Sequence, residues 1–366
     1  MKSRLALRTS RATLAALTAL LCAFSCFGPV DNDNGELYSE LVSVWQYLRV
    51  YSIYQDSSIY EGRIPDDPFV FDSAAALMAA VADTLRGSHY TRWNALGCVV
   101  PATFLVDNVA AKRRAVVVES LTVFVDTLTD STARITITRF VEGEYDYGIG
   151  GRLFRWDSTS ASFAEALPAV RSFPNLVIDL WNNGGGSINE AQAIVSMFLA
   201  ANTPYLNARE REYDSTTRTA RTLGWRPWVT KGGPREELSG KRVIIVMNES
   251  SASSSEIVIA ALRECAGATL VGGRSYGKAI GQIKHFRRDR PVLQITYLQM
   301  RGLSERTGSY MRVGIAPDVV AEESHSEALL AAVRVNEPGI TSLRPLARRV
   351  AAVSPVQGYK NVVEPY

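Results

Sequence analysis

From about Ala164 the chain alternates short apolar runs with amphipathic ones, and this alternation limits the fold more than any other feature. FAEALPAV has helical spacing, and residues 175–180 (NLVIDL) form an apolar strand. NNGGG follows as a loop. SINEAQAIVSMFLA is then a helix, opened by Ser187 with Glu190 three residues on, which is a capping box. KRVIIVMN is a second buried strand, SASSSEIVIAALREC is a loop running into a helix, and ATLVGG is a third strand. Such strand–helix alternation brings consecutive strands into parallel pairing, so the expected fold class is α/β.

Upstream the pattern differs. Leu37, Leu41, Val44, Leu48 and Tyr51 recur at helical spacing, and a second helical run over 73–81 closes near Gly87. Residues 37–92 therefore read as a helical module. Residues 93–150 read as a β-rich segment: RAVVVESLTVFVDT and ARITITRFVEG are β-branched and largely alternating, with TLTDST as turn chemistry between them. The α/β core is expected over 151–330. The tail, 331–366, is punctuated by prolines and reads as peripheral.

The N-terminus stands apart. MKSRLALRTSR holds Lys2, Arg4, Arg8 and Arg11 and no acid, and residues 12–27 are apolar apart from small Thr, Ser and Cys. A basic stretch before a short apolar one is a secretory signal, assigned to 1–25, and its apolar part is short for a membrane span. Ala23-Phe24-Ser25-Cys26 has the form of a lipobox without leucine three residues before the cysteine. Cys26 is thus the expected lipidation site, with 26–36 as a polar tether. The expected location is the cell envelope, on the exported side, with a lipid anchor in the membrane.

A net charge of +3, with the bases scattered, gives no footprint for nucleic acid. Of four cysteines, Cys22 and Cys26 belong to the signal region. Cys98 and Cys265 remain, and their spacing leaves pairing open. There is no CxxC motif or Cys/His cluster, so neither a metal nor a cofactor is expected.

Two strand–loop–helix junctions carry unusual loops, and such loops collect at the carboxyl ends of the strands in open α/β sheets. DLWNNGGG (179–186) puts three glycines ahead of a helix. They could aim backbone N–H groups at an anion or a developing oxyanion, or simply make a flexible turn. The second loop crowds Ser250, Ser251, Ser253, Ser254 and Ser255 before an apolar helix. A serine there can act as a nucleophile at the positive end of the helix dipole or serve as a plain N-cap. Residues 272–278 fit the phosphate-cradling G-x-x-x-x-G-K pattern, but Ala279 stands where the magnesium-holding hydroxyl belongs, and the alternating IKHF is not the required helix. The three histidines, His89, His285 and His325, lie in no supporting pattern. A neutral, partly desolvated lysine can take a serine's proton instead, and Lys278 follows a strand end between Gly277 and Ala279.

In ESSASSSEIVIAALRECAGATLVGGRSYGKAIGQ these parts resemble the signature of the carboxyl-terminal processing proteases, the S41 serine peptidases, in which a SASASE block precedes a GK and a nearby glutamine. The resemblance implies Ser253 as nucleophile, Lys278 as general base and Gln282 as the residue that orients the lysine. LWNNGGG matches the family's LRNNPGG loop, with Trp181 for arginine and Gly184 for proline, and GIAPD (314–318) matches its GI-PD segment. It extends over roughly residues 37–330. It implies a ClpP/crotonase-like core of stacked ββα units, oxyanion donors from the backbone of Ser254, Gly185 and Gly186, and a serine endopeptidase acting on protein or peptide substrates. Members usually carry a PDZ domain between the helical module and the core; here the available span is short for one. Two other readings stay open: a catalytically silent binding protein on the same fold, and another acyl-transfer hydrolase with a crotonase-like core.

Overall fold

The computed structural model describes residues 41–50 except 47, 67–77, 104–105, 122–142, 145–148, 152–155, 158–214, 219–287, 290–305, 307–344 and 349–350. The signal, the tether with Cys26, and His89 and Cys98 lie outside the described residues. In chain order the strands begin with β1 (Phe104–Leu105), β2 (Val123–Thr127), β3 (Thr132–Ile137), β4 (Tyr145–Gly148), β5 (Arg152–Arg155), β6 (Asn175–Asp179) and β7 (Pro204–Asp214). They continue with β8 (Thr219–Thr222), β9 (Arg226–Val229), β10 (Arg242–Met247), β11 (Thr269–Gly272), β12 (Ile280–Arg287), β13 (Arg290–Arg301), β14 (Val319–Val320) and β15 (Arg349–Val350). The helices beyond the N-terminal region are α1 (Thr159–Val170), α2 (Ile188–Ser196), α3 (Ser254–Cys265) and α4 (His325–Asn336).

The main sheet has seven strands in the order β14-β11-β10-β6-β3-β2-β15. From β14 to β3 every neighbouring pair is parallel, as the strand–helix alternation requires. The continuous apolar runs are explained by burial on both faces. Leu176, Ile178, Val243, Ile245 and Met247 face a core shared with α1, α2 and α3, whereas Val177, Ile244 and Val246 face a second core closed by α4. Strands β2 and β3, from the β-rich segment, belong to this same sheet, β3 pairing in parallel with β6.

Local chemistry sets the helix ends. Ser158 caps α1, its Oγ accepting from the Ala161 amide at 3.1 Å. At the other end Lys241 Nζ donates to the carbonyls of Val170, Arg171 and Phe173, at and just beyond the last turn. Ser187 caps α2 as expected, but Glu190 does not close the box: its Oε2 accepts from Ser160 N at 2.6 Å and so ties α2 to the start of α1.

The structure adds a six-stranded, antiparallel sheet that periodicity had not singled out. Its path is β1-β13-β7-β8, with β12 on β13 and β9 on β7. Leu206, Ala208, Leu298 and Met300 from this sheet close the core over α3. Helix α3 is consequently buried on all sides, which is why residues 257–262 (IVIAAL) lack a polar stripe. The N-terminal residues 41–46 and 48–50 are helical, with Leu41, Val44 and Leu48 buried, and Arg211 of β7 donates to the carbonyls of Arg49 and Val50 at that helical segment's end.

The tail is less peripheral than its prolines suggest. Helix α4 crosses the expected boundary at 330 and buries Ala328, Leu329, Ala332 and Val333. Strand β15 then pairs with β2 as an edge strand.

Candidate active site

The parallel pairing of β6 with β10, in register Val246↔Asp179, ends both strands at one edge. The glycine loop and the serine loop therefore lie side by side, as the sequence predicts. Their contact is dense. Leu180 N donates to Val246 O, and Asn182 and Asn248 exchange bonds: Asn182 N to Asn248 Oδ1 at 3.0 Å and Asn248 Nδ2 to Asn182 Oδ1 at 2.7 Å. Asn183 is wholly buried at the centre. Its carbonyl accepts from Ala252 N and Ser255 Oγ, its Oδ1 from Gly185 N, and its Nδ2 donates to Ile137 O.

Most of the serines are consumed by this junction. Ser251 Oγ donates to Leu180 O at 2.8 Å, Ser254 Oγ to Gly186 O at 2.9 Å and Ser255 Oγ to Asn183 O at 2.8 Å. Ser253, buried like these three neighbours, occupies the N-cap position of α3, its backbone N–H donating to the Glu256 side chain, and its hydroxyl donates to none of these loop carbonyls. Its backbone has φ 57° and ψ −115°, and Ser255 N donates to Ala252 O at 3.1 Å. Ser253 is thus the second residue of a type II′ turn, a place that favours glycine and costs a serine about 1–3 kcal/mol. That turn holds the side chain at the head of α3, where the helix dipole is positive.

Glycine is needed at two points of the facing loop. A Cβ on Gly185 (φ 97°) would lie 2.6 Å from Ala252 O and 2.8 Å from Ser253 Cβ, and one on Gly186 (φ 142°) would strike Phe140 O. The expected oxyanion donors are partly revised by this geometry. Gly185 N is engaged by Asn183 Oδ1 at 2.9 Å, so Gly185 serves close approach instead. Gly186 N and Ser254 N have no acceptor among the described residues.

Glu256, one turn into α3 and unremarked in the sequence, joins the serine to the lysine. Fully buried, it collects four donors: Ser253 N (3.0 Å) and Lys278 N (2.8 Å) on Oε2, Gly277 N (2.6 Å) and Ser275 Oγ (2.7 Å) on Oε1. Burial pushes its carboxyl up, and the four hydrogen bonds oppose that push. One oxygen thereby bounds the separation of the Ser253 and Lys278 backbone nitrogens by the sum of two hydrogen-bond lengths.

Lys278 lies in an extended loop after β11, with no helix following, which removes the phosphate-loop alternative. Burial pulls its ammonium below the ordinary lysine range, and the Glu256 carboxylate pulls it partly back. Its Nζ has no hydrogen-bond partner among the described residues, so the Ser253–Lys278 pair is not closed in this structure. Gln282 lies on β12, half-buried, at a register shift after Gly281 and opposite Thr296. The GIAPD segment buttresses the lysine loop. Ile315 N donates to Ser275 Oγ and accepts from Ser275 N through its carbonyl, while Asp318 receives Leu270 N and Arg263.

His325 is not isolated, contrary to its unpatterned sequence context. Its Nε2 lies 2.9 Å from Asp179 Oδ2, and its ring stacks on Trp181 at 5.3 Å. Asp179 also receives Arg134, which reaches Asp126 at 2.5 Å. This group braces the base of the glycine loop on the α4 side of the sheet, away from α3. His285 is a β12 residue. Asn183 and Glu256 were missed because their role depends on the approach of loops distant in the chain; the only local signal was Glu256 at the third position after Ser253.

Comparison with known proteins agrees with this geometry. A 167-residue stretch is 27% identical to a probable CtpA-like serine protease of Staphylococcus haemolyticus, covering 44% of this chain and 30% of that protein. The counterpart in Staphylococcus saprophyticus is 25% identical over 175 residues, 47% of this chain and 33% of its own length. The chain therefore spans about a third of the length of these curated relatives. Among solved structures, a lipoprotein from Streptococcus agalactiae superposes with a TM-score of 0.54 at 14% identity, over 86% of this chain and 99% of its own. The photosystem II D1 C-terminal processing protease gives 0.50 at 14% identity, over 81% and 95%. These two likenesses concern the fold. The model of peptidase family S41 matches residues 131–321, from the start of β3 through β14 and so across both loops, Glu256 and Lys278; the chain belongs to peptidase family S41.

Proposed function

We propose that this protein is an exported, lipid-anchored serine endopeptidase that hydrolyses peptide bonds of protein substrates through Ser253 and Lys278. The observation that carries the reading is the shared carboxylate oxygen of Glu256, which receives the backbone N–H of both residues and so fixes nucleophile and base on one buried anchor. In the reaction, Ser253 Oγ attacks the scissile carbonyl as its proton passes to neutral Lys278. Desolvation supports that neutral state. The N–H groups of Ser254 and Gly186 take the developing oxyanion at the α3 N-terminus. Lys278 then protonates the leaving amine, and water, deprotonated by the same lysine, releases the acyl group from Ser253. Gln282 orients the lysine in this scheme without adding negative charge. The Arg-rich leader and Cys26 support export and anchoring.

A fluorophosphonate probe, with the labelled peptide located by mass spectrometry, tests the site. The expected result is modification of Ser253, lost in Ser253→Ala, together with cleavage of unstructured protein. Absence of labelling and of cleavage in the folded protein would favour the catalytically silent reading, and thioester turnover without peptide cleavage the acyl-transfer one. Mass spectrometry of membrane-extracted protein should find diacylglyceryl-modified Cys26 at the new N-terminus; an unmodified N-terminus beyond it would remove the anchor.

A further inference from the structure

The antiparallel sheet presents an arginine pair that the proposed mechanism does not use. Arg209 on β7 and Arg301 at the end of β13 both lie against the indole of Trp225, with guanidinium carbons 5.0 and 4.4 Å from the ring centroid. Two cations against one ring repel each other, and each keeps part of its surface in water. Neither makes an ion pair with a described carboxylate; Arg209 Nε is held by Gln299 Oε1 at 2.8 Å, which leaves its two terminal nitrogens uncommitted. Glu210 falls on the opposite side of the strand by alternation, and its charge acts on Tyr297.

The pair is also fixed in place. Arg209 and Gln299 are register partners, and Arg301 shares the face of Gln299 two residues on. This is the face turned from the core, since Ala208, Leu298 and Met300 are buried on the other. β13 reaches the catalytic loop directly: Met300 N donates to Ala279 O at 2.8 Å, next to Lys278, and Gln299 is in register with Ile280. Two prepositioned guanidinium forks without a counterion among the described residues, on a strand bonded to the lysine loop, suit a planar anion delivered with the substrate.

We infer that Arg209, Trp225 and Arg301 form a subsite for a carboxylate of the bound peptide, either its C-terminus or an acidic side chain. The inference rests on the peptidase reading for the identity of the ligand, while its test is a binding measurement. The full-length protein is titrated with a neutral octapeptide carrying an uncharged dansyl label in three forms: free C-terminal acid, C-terminal amide, and amide with one internal glutamate. The expected result is tighter binding of at least one carboxylate form than of the neutral amide, by about tenfold or more. That preference should weaken with salt and vanish in the Arg209→Gln/Arg301→Gln double variant while the neutral amide binds as before. Preference for the acid form marks the terminus as the source, and preference for the glutamate form marks the side chain. Equal binding of all three forms, or a preference that survives in the double variant with unchanged circular dichroism, overturns the subsite. Turnover is read separately: a carboxylate preference without cleavage keeps the subsite and removes the peptidase reading, and cleavage without the preference does the reverse.

Discussion

Replacing Glu256 with glutamine keeps the volume and tests whether the shared carboxylate organises the site. The carboxylate accepts four hydrogen bonds, two on each oxygen, from Ser253 N, Lys278 N, Gly277 N and Ser275 Oγ. Glutamine offers one acceptor oxygen, and its amide nitrogen would face two N–H donors or one N–H and a hydroxyl. Two charge-assisted bonds are lost, at about 1.5–3 kcal/mol each. Relief of a buried charge, worth up to several kcal/mol, offsets part of that loss. A net destabilisation of roughly 2–4 kcal/mol follows, a large share of a typical net stability of about 5–15 kcal/mol. Lys278 is affected as well. Burial lowers its pKa and the Glu256 charge raises it, so removing the charge leaves burial unopposed. The rising limb of kcat/KM against pH should therefore move to lower pH in Glu256→Gln, with a reduced plateau. Urea unfolding followed by circular dichroism gives the stability, and a pH–rate profile on a quenched-fluorescence peptide gives the limb. A variant with wild-type stability and an unmoved limb would refute the anchoring role.

Three further outcomes are expected. Ser253→Gly should be inactive but more stable than Ser253→Ala by about 1 kcal/mol, since only glycine relaxes at φ 57°, and equal unfolding midpoints would contradict the strained turn. Lys278→Met should be inactive and more stable than wild type. Because burial lowers the folded-state pKa, the cost of holding the ammonium is greatest below that pKa and fades as pH rises toward the free value of 10.5, so the stability gain should shrink over the same interval when urea unfolding is repeated across pH. Gly185→Ala, whose Cβ would meet Ala252 O at 2.6 Å, should lose roughly 2–4 kcal/mol and most of its kcat, measured by the same unfolding and rate assays.

What the sequence determined by itself was the pattern carried by local periodicity and by spacing within a motif. Apolar runs at 176–178 and 243–247 required strands covered on both faces, and the helices between them required parallel pairing. The serine block, Lys278 and the glycine loop stood out as candidates in the same sequence, and the roles of Ser253, Lys278 and Gln282 are what the family resemblance implies. The resemblance already points to Ser253; tertiary structure decided what its neighbours do, because only the approach of the glycine loop gives Ser251, Ser254 and Ser255 their acceptors. It also decided that Gly185 N is engaged by Asn183, that His325 meets Asp179, and that α4 and β15 close the far side of the sheet. Most decisively it placed Glu256 under both Ser253 and Lys278, because a buried carboxylate is satisfied only by donors that converge from several loops, and convergence of segments distant in the chain is a property of the packed fold.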